Sequence, residues 1–129
     1  MTLDLQPPLA GRGALWQPAD IEVPSGQMLE LFEVLVDRVG SEDWVRFRFL
    51  APQIACDTGS LSFDAAQADF EVLCQQFAVP YLAEHGLSPD FIAVSLLDRP
   101  VPFGASDPDA TQFVEVFRLR ENICVWEGL

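Results

Sequence analysis

The sequence contains no lysine, one histidine, one tyrosine and two methionines in 129 residues. Its seven cationic side chains are all arginine, against 20 Asp and Glu, for a formal charge of −13. These scarcities exclude several function classes. Phosphate backbones are held by basic patches, so so few cations count against nucleic-acid binding. The same sign argues against anionic membrane surfaces. No apolar run approaches the ~18–20 residues of a membrane-spanning helix. Met1 to Ala19 shows no basic segment followed by an apolar one, so no signal peptide is expected there. As written the chain reads as cytoplasmic, and as periplasmic if a leader has been removed.

Cysteine is also scarce. Cys56, Cys74 and Cys124 are too far apart for a CxxC motif, so no metal site is expected and no cofactor is implied. Two readings of the thiols stay open. They are three small buried hydrophobes, or Cys74 and Cys124 form a bridge in an exported protein. The apolar neighbourhoods Val72-Leu73-Cys74 and Ile123-Cys124-Val125 suit both.

What the chain does have is apolar mass. Half of it is hydrophobic, including ten Phe and three Trp. That excludes wholesale disorder, which needs low hydrophobicity together with charge. The length fits a single domain with one core. Residues 1–20 read as an irregular N-terminal arm holding Pro7, Pro8, Pro18, Gly11 and Gly13, with Leu15 and Trp16 able to dock on the body. Residues 21–129 read as a single α+β domain.

Within that domain, Ile21-Glu22-Val23 is expected as a short edge strand stopped by Pro24. Gln27–Asp37 fits either period and is read as a strand with Leu29, Leu31 and Leu35 on one face, interrupted by Glu33, because a hairpin-length link joins it to a clear one. That next strand is Trp44–Leu50. Trp44, Arg46, Arg48 and Leu50 alternate there with Val45, Phe47 and Phe49. Ala66, Phe70, Leu73, Cys74 and Phe77 make one stripe of a helix. Asp64 is expected as its N-cap, with Gln67 completing a capping box. Pro80 should stop or kink the helix, with a short turn to His85 closed by Gly86. Phe91–Leu97 is almost wholly apolar, as in a central strand covered on both faces. Thr111–Leu119 and Ile123–Trp126 read as a hairpin. The expected fold is a mostly antiparallel sheet of three to five strands with one main helix on a face, in the order β-β-α-β-β-β.

Candidate sites are few. Asp107-Pro108-Asp109 resembles the start of a calcium loop, but Gln112 and Arg118 stand where that loop needs Gly and Glu, so a turn is expected. Asp98 and Arg99 close the most apolar strand and open a Pro-rich loop. They read as an ion pair pinning that loop, or, with Phe103 and His85, as a ligand-binding rim. His85 alone reads as a helix-terminal cation. Arg46 and Arg48 share one strand face and Arg118 and Arg120 another. Their simplest role is to balance Glu30, Glu33 and Glu115 across the sheet.

The segments Val45 to Pro52 (VRFRFLAP), Ser95 to Gly104 (SLLDRPVPFG), Asp107 to Phe113 (DPDATQF) and Cys124 to Gly128 (CVWEG) resemble a family of small bacterial proteins of unknown function. Pro24-Ser25-Gly26 and Leu73-Cys74 add to the likeness, which runs from about Val23 to Leu129. Members often begin with an exported leader and usually carry Cys at the positions of Cys74 and Cys124. The resemblance therefore implies the bridge, with Cys56 outside the pattern. Members are sometimes automatically labelled acetolactate synthase. That label does not fit a chain with no Gly-rich phosphate loop, no matching acidic metal motif and far too few residues.

No nucleophile–base or metal constellation is visible, so the expectation is not an enzyme but a non-catalytic binding or protein-interaction module. Trp16, Trp44 and Trp126 are candidate interface residues. A basic protein partner fits the negative field, and a homodimer is the other option. The alternative is a small-ligand-binding or enzymatic domain using the Asp98–Phe103 loop. A third reading takes the acidity as a solubility device.

Overall fold

The computed structural model describes residues 2–5, 22–55, 61–105 and 107–127. The expectations for Leu15, Trp16, Ile21 and Cys56 lie outside these residues. Six strands form one sheet in chain order. They are β1 (Thr2–Leu5), β2 (Glu30–Val39), β3 (Glu42–Leu50), β4 (Phe91–Leu97), β5 (Gln112–Arg120) and β6 (Ile123–Trp126). All neighbours are antiparallel except β3 and β4. A parallel pair needs a long crossover, and here the helical segment from Phe63 to His85 supplies it. The strands from β2 onward follow the expected order β-β-α-β-β-β. Thr2–Leu5 adds a further strand on β2, inside the stretch expected to be an irregular arm. Glu22 and Val23 are not in a strand.

The helix stripe behaves as its spacing predicts. Ala66, Phe70, Leu73, Cys74 and Phe77 are all buried, in one cluster with Val45, Phe47, Phe49, Ile92, Val94, Leu96 and Phe117. Phe47 meets Phe77 and Tyr81 edge-on, with ring centroids 6.3 and 5.3 Å apart. Such geometry adds about 0.5–1.5 kcal/mol per pair beyond area burial.

Three local expectations are corrected. The N-cap is Ser62, whose Oγ accepts the Ala65 N–H at 3.2 Å; Asp64 lies in the first turn instead. Next, the chain does not stop at Pro80. Helix α1 (Phe63–Val72) passes through a π-helical segment, Leu73–Ala78, into α2 (Val79–His85). Proline in an α-helix removes an N–H and its ring collides with the carbonyl four residues back. The wider turn just before Pro80, where Val79 N–H reaches Cys74 O, accommodates that collision without ending the helix. Gly86 then closes α2 in the left-handed conformation at φ +66°.

The third correction concerns β2. A bulge lies between Leu31 and Glu33. The extra residue shifts the alternation. Leu29, Leu31 and Val34 face the helix, while Leu35 turns to the opposite face beside Arg46. The mixed periodicity of Gln27–Asp37 is the signature of this bulge.

Polar side chains of the helix also face inward. Asp69 is fully buried. It accepts the Ser25 N–H at 2.9 Å, the Ser25 hydroxyl at 2.5 Å and Gln27 Nε2 at 2.7 Å, fixing the turn that leads into β2.

Candidate functional site

The expected rim of Asp98, Arg99, Phe103 and His85 is not assembled. His85 precedes β4 and Asp98 follows it, and a seven-residue strand spans about 20 Å. His85 stacks on Tyr81 at 4.1 Å, and its Nδ1 lies 2.9 Å from the Tyr81 carbonyl. Asp98 is a pin for the loop. Its side chain is 1% exposed. It accepts from Arg99 Nε and Nη2 at 3.2 and 2.9 Å and from the Thr111 N–H at 2.9 Å. Burial is the largest single influence on this carboxyl and pulls its pKa up. The Arg99 and Thr111 hydrogen bonds, with the Arg99 charge, outweigh it and hold the pKa below 3.8. Asp107 is likewise a turn residue, its Oδ1 accepting the Asp109 N–H at 3.0 Å.

Phe103 sits elsewhere, over the sheet face opposite the helix. Arg46 lies 5.3 Å and Arg48 5.6 Å from its ring. Arg46 also covers Trp44 at 5.0 Å, and Arg48 faces Phe32 at 5.6 Å. Trp44 packs on Phe91 at 4.8 Å, and Arg118 covers Phe91 at 4.3 Å. The result is one row in which rings and guanidinium groups are interleaved. Each arginine in it also has a carboxylate: Arg46 pairs with Asp37 at 3.1 Å, Arg48 with Glu33, and Arg118 with Glu127 at 3.6 Å. β4 lies between the strand of Arg46 and Arg48 and the strand of Arg118 and Arg120. Charge balance across the sheet is the role of Arg48, as expected for Glu33. Glu115 instead accepts a hydrogen bond from the Trp126 indole on the helix side.

That indole borders a recess of about 200 Å³ between α1 and the β5–β6 hairpin. Its lining is Gln67, Phe70, Glu71, Glu115, Phe117 and Trp126. It is smaller than the roughly 300–1,000 Å³ of pockets for drug-sized ligands. A second recess, of about 230 Å³, is lined by Val79, Leu82, Ala83, Gly86, Leu87, Ser88, Leu119 and Asn122 and contains no ionisable side chain.

A disulfide between Cys74 and Cys124 ties β6 to the helix, with Cα atoms 6.3 Å apart. Beside it, Gln75 accepts the Cys124 N–H at 3.0 Å and donates to the Asn122 carbonyl at 2.9 Å. The hairpin turn itself is Glu121-Asn122, both at positive φ, as two-residue turns with the twist of a hairpin require. Among the described residues, no three His, Cys, Asp or Glu gather as metal ligands, and no helix is long and apolar enough to cross a membrane.

A family model matches residues 8–129. The chain belongs to DUF6497, a family of unknown function. This agrees with the resemblance carried by the sequence motifs. No curated protein and no solved structure matches this DUF6497 chain.

The exposed apolar residues of the DUF6497 fold are unevenly spread. Among the described residues, seven large hydrophobics are exposed, and four of them, Val114, Ile123, Val125 and Trp126, lie on the β5–β6 hairpin. Register puts Val114, Val125 and Ile123 on the face away from the helix. Trp126 is on the helix side, beside the recess. Of these, only Trp126 was singled out from sequence. The others stand out only once the hairpin is known to end the sheet, with no strand beyond it among the described residues.

Proposed function

We propose that the protein is a non-catalytic interaction module that meets a basic, partly apolar partner through its β5–β6 hairpin. The observation that carries this reading is the concentration of exposed apolar side chains on the hairpin. Val114, Ile123 and Val125 share one face of it, and exposed apolar residues gathered on one element mark contact surfaces. The charge of −13 selects the partner's sign. Gln75 holds the Asn122 carbonyl and the Cys124 N–H near the hairpin turn, and the reading assigns the contact to the exposed side chains of the hairpin.

The test uses the full chain and a nine-residue peptide alternating arginine and valine. Binding is followed by backbone amide shifts in NMR. The expected result is saturable binding with the largest shifts in residues 112–127, abolished by the double substitution V114D/I123D. Small shifts spread over all acidic surfaces would sink the proposal. So would concentration-dependent dimerisation through the hairpin in sedimentation, which would replace the basic partner with a second copy.

A further inference from the structure

We infer that the recess beside Trp126 is a receptor for one arginine side chain of the partner. The inference rests on the hairpin reading above and names the contact within it.

The protein shows how it houses arginine. Arg46 lies between Trp44, Phe103 and Asp37. Arg48 lies between Phe32, Phe103 and Glu33. Arg118 lies between Phe91 and Glu127. Each guanidinium lies over an aromatic ring and pairs with a carboxylate. These are the two partners that a planar, weakly hydrated cation favours.

The recess offers the same materials with no cation among its lining residues. Trp126 is the ring, 55% exposed. Glu71 and Glu115 are the carboxylates, and Phe70 and Phe117 form a buried apolar floor. Glu115 is already oriented, because one of its oxygens accepts the Trp126 indole N–H. That bond fixes ring and carboxylate relative to each other before anything binds, which lowers the ordering cost of association. Gln67 adds an amide at the rim. An arginine would lay its stem on the floor and its guanidinium against the Trp126 ring, within reach of the two carboxylates. The volume suits one side chain, and the two carboxylates disfavour an anion.

The test uses N-acetyl-arginine amide and its citrulline counterpart, which has nearly the same shape without the charge. The readout is the Trp126 indole N–H signal, assigned by its disappearance in Trp126→Phe. The arginine probe should move this signal saturably, and the citrulline probe should leave it in place. The double variant E71Q/E115Q keeps an acceptor for the indole and should weaken binding by about fivefold or more. Equal movement by both probes, no movement, or an unchanged affinity in the double variant overturns the inference. The two readings fail separately. If the arginine–valine peptide shifts the hairpin but leaves the Trp126 indole unmoved, the receptor falls and the hairpin surface stands. If the single amino-acid probe fills the recess while the peptide leaves the hairpin unmoved, the hairpin surface falls and the receptor stands.

Discussion

On the helix side of β3, Val45, Phe47 and Phe49 are at most 1% exposed and pack in the main apolar core. On its other side the same strand presents Trp44, Arg46 and Arg48, held by rings, carboxylates and the Val101 carbonyl. Both sides are well filled, but by different means. One side gains from removing apolar surface from water. The other gains little net energy from its ion pairs, since desolvation offsets most of the attraction. What the second side adds is orientation. Arg48 bridges Glu33 on β2 and the loop carbonyl of Val101, so one side chain fixes a strand and a loop together.

The comparison predicts a graded set of effects. Phe47→Ala should be the most damaging, at about 4 kcal/mol in urea denaturation, because the vacated volume is enclosed by Phe77 and Tyr81. A loss below about 1.5 kcal/mol, the scale of a tolerated core swap, would mean the helix face can collapse into the gap. Arg48→Met should cost about 3 kcal/mol, since it strands the Glu33 carboxylate. Adding Glu33→Leu to it should recover most of that loss. If the double variant stays as unstable as the single one, the pair contributes net stability and the contrast between the faces weakens.

Asp98→Asn should be mildest, at about 1 kcal/mol near neutrality, and its signature is in acid. The carboxyl is held below 3.8 in the folded chain. Its ionised form therefore contributes stability above 3.8, and that contribution disappears as pH falls through the lowered value. The Asn variant lacks this portion of the acid sensitivity. Equal slopes of stability against pH below 4 in the two proteins would show that Asp98 does not pin the loop.

Much of the fold was legible because it is written in short-range periods. The Val45-Phe47-Phe49 alternation, the Ala66-to-Phe77 stripe and the unbroken Phe91–Leu97 run each identify their element and its buried face. The failures share a different origin. A one-residue bulge at Leu31–Glu33 reverses the facing of Leu35, and its local trace is a mixed periodicity that a helix would also produce. Pro80 was read by its usual effect, which the π-helical turn before it absorbs. Asp69 lies off the apolar helix stripe, yet it is buried because Ser25 and Gln27, more than 40 residues away, bond its oxygens.

The candidate site was less legible. Asp98 and Arg99 do form the pin expected of them, but His85 and Phe103 belong to other parts of the molecule. The recess joins Glu71 of α1 to Glu115 and Trp126 of the hairpin, and only the fold puts those residues side by side. Trp126 was flagged for its residue type alone. Glu115 was read as a partner for the strand arginines, and Glu71 carried no signal in the chain.

The link between Cys74 and Cys124 has a topological consequence. It closes a covalent ring that includes β4, β5 and the loop between them. The tip of that loop, Pro102 to Ala105, is exposed, and exposed tips are where proteases cut. A cut there opens the ring without releasing a fragment. While the bond is intact, the molecule survives a break in this exposed loop as one covalent body.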